Sequence, residues 1–145
     1  MPCGRRVARA ALLIALAGAL CGAAPVPVIF DTDIGNDIDD VLALAMLHAL
    51  ESRGECRLLG VTLTNPAPSA APFTHLVNRF YGQADLPVGV SAARRTEGAG
   101  RGYPDAVLRA VPGKWREGPQ PVFPPAVKLL RRLLASSTEK VVIVQ

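Results

Sequence analysis

The stretch Val28 to Leu44, VIFDTDIGNDIDDVLAL, limits the fold more than any other part of the chain. Val26 to Phe30 is apolar and mostly β-branched or aromatic, the pattern of a short buried strand. Five aspartates then fall between Asp31 and Asp40, with Gly35 and Asn36 among them. No apolar packing favours such a loop. Helical spacing follows at once: Ile38, Val41, Leu42, Ala45 and Ala49 recur on one face, Leu44 and Leu47 widen it, and Gly54 ends it. Arg57 to Leu63 reads as a second strand. Strand, helix and strand in so few residues predict a βαβ unit with parallel strands, and the acidic loop lies at the carboxyl end of the first.

The remaining pattern extends the same architecture. Phe73, Leu76, Val77 and Phe80 predict a helix from about Ala70 to Tyr81, and Leu86 to Val90 a short strand. From Ser91 to Pro121 periodicity is lost amid Gly, Pro and Arg, which predicts a long excursion with one helix near Asp105 to Ala110. Pro124 to Ala135 returns to helical spacing with proline at its start, and Val141 to Val144 is a further apolar strand. The expectation is an α/β fold: an open, mostly parallel, Rossmann-like sheet with flanking helices. An interior parallel strand needs a covering connection, so an end at Gln145, just past VVIV, reads as a truncation after the fourth strand.

Charge bears on the partner. The formal balance is +4, but Arg5, Arg6 and Arg9 sit in a leader, and without them 13 basic residues face 12 acidic ones. That balance is too small to imply a nucleic-acid partner. The leader joins a basic start to the apolar run Ala10 to Leu20 and the small residues Gly22 to Ala24, the layout of a secretory signal peptide over residues 1–23. The mature chain from residue 24 is then expected to be secreted or periplasmic, without membrane attachment after cleavage. Cys3 and Cys21 would leave with the leader, and Cys56, in an apolar strand pattern, reads as a buried thiol.

Several carboxylates crowded into one loop repel one another unless a cation offsets them. Oxygen-only donors with no His or Cys nearby favour a hard ion, calcium or magnesium, over zinc. The bland alternative is a set of solvated aspartates capping a helix, which the helix dipole also favours.

The stretch resembles the signature D-x-D-x-G-x-D-D of the inosine-uridine-preferring nucleoside hydrolase family. Gly60 to Pro66 (GVTLTNP) resembles that family's second strand and Asn-bearing loop, and Ala71 to Gly82 (APFTHLVNRFYG) the helix that follows. One departure is plain: Asn36, Asp37 and Ile38 separate Gly35 from the paired Asp39 and Asp40, where the commoner form leaves less room. Anchoring on the glycine would put Ile38 in a ligand position that an alkyl chain cannot fill, so Asp39 and Asp40 anchor the alignment. The resemblance then implies that residues 24–145 form the amino-terminal part of a nucleoside hydrolase domain that cleaves ribonucleosides to ribose and free base with Ca2+. It implies Asp33 and Asp40 as calcium ligands, Asp31 in support, Asp37 as an extra ligand or helix cap, Asp39 as general base on the attacking water, and Asn65 gripping the ribose. It further implies that other groups of the metal shell and the leaving-base acid lie beyond Gln145, so that turnover by this chain is expected to be weak or absent. Homo-oligomers are common in the family, though the sequence displays no exposed apolar stripe to argue for one.

Two rivals stand beside this. VIFDTD also resembles the first motif of haloacid-dehalogenase phosphatases, but IGNDIDD is not the usual continuation there, and that chemistry does not require the extra carboxylates. The other rival is a non-catalytic calcium- or nucleoside-binding remnant.

Overall fold

The computed structural model describes residues 24–64, 67–92, 102–115 and 121–145. Its centre is a four-stranded sheet, every pairing parallel. Strand β1 (Val26–Thr32) is followed by α1 (Asp39–Ser52), β2 (Cys56–Leu63), α2 (Ala70–Phe80) and β3 (Val88–Val90). Helix α3 (Tyr103–Ala110) and a 3-10 turn at Gly113–Trp115 occupy the excursion, and α4 (Ala126–Ser136) leads into β4 (Val142–Val144). Every strand and helix expected between residues 26 and 144 is present, with ends shifted by at most two residues.

Strand order is β3-β2-β1-β4. The chain steps outward from β1 to β3, then crosses back to lay β4 on the free side of β1, pairing Val28 with Val142 and Phe30 with Val144. Strand order therefore reverses between β1 and β4, and the crevice at such a reversal is where open parallel sheets take their ligands. The acidic loop emerges there.

The strand period of two sorts the sheet into two faces. Val28, Phe30, Val61, Leu63 and Val88 join Leu44 and Leu47 of α1 and Ala70, Ala71 and Phe73 of α2 in one core. On the other face Gly60 and Gly89 admit α4: an added Cβ at Gly60 would stand 2.8 Å from Leu133, and one at Gly89 would stand 2.9 Å from the Ala126 backbone. A side chain at Gly89 would push the helix off the sheet, while one at Gly60 would meet the movable tip of Leu133 and the Pro87 carbonyl.

The face of α1 differs from the sequence expectation. Leu44, Leu47 and His48 are buried, whereas Ile38 is 57% exposed, Leu42 61% and Met46 60%. Helix α1 is apolar nearly all round, so spacing alone did not single out the stripe that meets the sheet; packing selected the neighbouring one. His48 is buried and His75 half-buried. His48 Nε2 lies 2.9 Å from Asn78 Oδ1 and its ring stacks on Tyr81, while the His75 ring meets Phe123 edge-on. Cys56 is buried, as expected.

Candidate functional site

Strand alternation decides which acidic groups can meet. Asp31 and Thr32 end β1 on opposite faces of the sheet. Asp31 takes the α4 face, where the Thr62 hydroxyl of β2 donates to its carboxylate. A cavity of about 270 Å3 opens beside it, bordered by Thr64, Ser91 and the first turn of α4. Thr32 takes the α1 face, and its hydroxyl donates to Asp40 Oδ1 at 2.5 Å while accepting the Ile34 amide at 3.1 Å. One buried hydroxyl thus fixes the strand end, the start of the loop and the first turn of α1.

Between these anchors the loop reverses at Gly35, whose φ of 121° lies where side chains are rarely tolerated. Ile34 is fully buried and pins the loop to the core. Asp33 is exposed, and the Asn36 amide donates to its Oδ2 at 3.0 Å. From across the excursion Tyr103 donates its hydroxyl to the Asp37 carbonyl at 3.0 Å. Gly102, just before it, stands so close to the Gly35 carbonyl that no Cβ would fit. Helix α3 therefore clamps the acidic loop from above, and its Tyr103 packs edge-on against Phe73 of α2.

The charges of this arrangement push on one another. The Asp40 carboxyl is raised above the ordinary carboxylate range, first by burial and then by the neighbouring Asp33 and Asp39, against the lowering effect of the Thr32 hydroxyl. The Tyr103 hydroxyl is raised too, by burial first and then by Asp40, against a lowering bond to Gly35 and with Asp39 and Asp37 adding to the rise. A cation between Asp33 and Asp40 would offset this crowding.

Of the residues expected from sequence, Asp33 and Asp40 stand side by side, and Asp39 is close enough to act on Asp40 electrostatically. Asp37 is exposed and held through its backbone. Asp31 is on the other face of the sheet, and Asn65 lies outside the described residues. Among the described residues no three acidic, His or Cys groups converge on one point. The donors match a hard cation in kind, being all oxygen, but they supply part of the six to eight oxygens that calcium takes. Thr32 and Tyr103 were not expected from sequence. Thr32 carries a signal, since period two sets it on the α1 face between two aspartates; Tyr103 carries none, because its contact spans 66 residues.

No protein-family model matches the chain, and no curated protein matches it. Among solved structures it is similar to the type III effector protein XopQ, whose structure was solved in complex with adenosine diphosphate ribose. The two share 22% identity at a TM-score of 0.62, over 92% of this chain and 39% of XopQ. This chain thus spans about two fifths of the length of that relative, and the likeness is one of fold: a parallel α/β sheet with helices on both faces.

Proposed function

We propose that the chain carries the cation-binding part of an exported hydrolase that cleaves the N-glycosidic bond of ribonucleosides, with Asp33 and Asp40 holding Ca2+. The observation that carries this reading is the pairing of Asp33 with Asp40 at the reversal of strand order, with Thr32 aiming Asp40 and the Asp40 carboxyl raised by burial and then by its acidic neighbours. The sequence pattern and a fold shared with a protein solved with a ribose-containing ligand support it.

Cleavage of an N-glycosidic bond passes through an oxocarbenium-like state that needs an activated water on one face of the sugar. Bound calcium would supply charge stabilisation and a more acidic water at this site. Asp39, exposed in the first turn of α1, would take a proton from that water. Asp33 and Asp40 would hold the ion against which the sugar is oriented, and Asn65, by the resemblance, would grip the ribose.

Single-turnover assays with protein in excess test this. Inosine and uridine should each release ribose slowly with Ca2+, less with a chelator, and not at all in Asp39→Asn. Release of phosphate from p-nitrophenyl phosphate without ribose release would overturn the reading in favour of a phosphatase.

A further inference from the structure

The outer edge of β3 is bordered by a segment that cannot pair along it. Residues 121–125 (PVFPP) run beside that edge, and the Val90 amide donates to the Pro124 carbonyl at 2.8 Å. The contact is an isolated parallel bridge between Val90 and Pro125. Further down the strand the next donor due to face β3 is Pro124, which has no N–H, so the ladder stops there. Between the segment and the strand lies a cavity of about 390 Å3, walled by Leu86, Val88, Phe123 and several prolines. Its volume falls in the range of small-molecule sites. It lies at the β3 edge of the sheet, two strands away from the acidic loop that follows β1.

Three polar side chains reach this cavity from three elements. His75 comes from α2 on one face of the sheet, Arg132 from α4 on the other, and Asp85 from the turn ahead of β3. Asp85 and Arg132 are exposed, and among the described residues neither enters an ion pair, with the other or with a third group. The Asp85 charge acts on the His75 ring, which puts that carboxylate toward the α2 side. Burial and then Arg79 hold the His75 pKa below its ordinary value, so the ring is neutral at pH 7 and adds no cation there. Arg79 itself donates to the Trp115 carbonyl at 2.9 Å.

One cavity therefore offers a carboxylate toward one side, a guanidinium toward the other and an apolar wall between them. A simple anion would meet repulsion from Asp85, and a simple cation would meet it from Arg132. A ligand that carries both charges satisfies both groups, and the guanidinium fork suits a carboxylate in particular. We propose that the cavity at the β3 edge is a second ligand site, for a small apolar zwitterion of the amino-acid or dipeptide class. The ammonium group of the ligand sits at Asp85, its carboxylate at Arg132 and its apolar side chain against Phe123 and Leu86.

Titration of L-leucine and of L-leucyl-L-leucine into the full chain, followed by the histidine ring signals in proton NMR spectra, tests the proposal. The chain has two histidines, and His75→Gln identifies the signal that belongs to the cavity. The expected result is a saturable shift of the His75 signal with at least one of the two compounds. Blocking that compound at either end, as its N-acetyl or its amide form, should weaken binding at least about ten-fold, because one charged contact is lost. Arg132→Gln and Asp85→Asn should each weaken it by a similar factor and, both side chains being exposed, leave the far-ultraviolet spectrum unchanged. No saturable shift with either compound, equal binding of a blocked form, or binding that survives both substitutions would each overturn the proposal.

Discussion

Thr32 donates to Asp40 and receives the Ile34 amide, so its hydroxyl serves two elements at once. Replacing it with valine removes both of these hydrogen bonds, which costs roughly 1–3 kcal/mol. Urea denaturation of Thr32→Val should show that loss, and Thr32→Ser should restore most of it. His75 offers a separate test by pH. Burial, and then Arg79, hold its pKa below the ordinary 6.5, against the raising effect of Asp85. A depressed folded value means that protons favour the unfolded chain: the stability His75 contributes is present above about pH 6.5 and is lost as pH falls below it. The fall in urea midpoint between pH 7.5 and pH 5.5 should therefore be smaller in His75→Gln than in the wild type. An equal fall in both would mean that the ring is not the titrating group.

At the scale of elements, α3 matters because it reaches back over the acidic loop. Gly102 lies against the Gly35 carbonyl with no room for a methyl group, so Gly102→Ala must displace either the loop or α3, at a cost of about 1–3 kcal/mol. Cation affinity should fall along with thermal stability, since the same loop carries Asp33. A variant with unchanged calcium affinity would uncouple the clamp from the site. The elements themselves were legible in the sequence, β1 and β2 as short apolar runs rich in β-branched and aliphatic residues and α2 and α4 by a spacing near 3.6. What could not be read was anything set by contact across the fold. The buried stripe of α1 was misjudged because Ile38, Leu42 and Met46 are as apolar as Leu44 and Leu47. The clamp by Tyr103 was invisible because nothing local to residue 103 speaks of residue 37. The division of Asp31 from Asp40 onto two sheet faces was implicit in strand alternation, yet it needed the end of β1 to be extended to Thr32 before it could be drawn.

For the molecule as a whole, the reversal of strand order is what gives the acidic loop its meaning. Were β4 to continue outward past β3, the carboxyl end of β1 would be a sheet edge; with β4 beside β1, it borders a crevice at the middle of the sheet. In that crevice burial first, and then Asp33 and Asp39, raise the cost of ionising Asp40, and a divalent ion is the ordinary means of offsetting it. The most direct measurement is calorimetric titration of Ca2+ into the full chain and into Asp33→Asn/Asp40→Asn. Saturable uptake of one ion by the wild type, abolished in the double variant, is the predicted result. Absence of uptake by the wild type, or uptake that survives the double substitution, would contradict the assignment of this loop as a cation site.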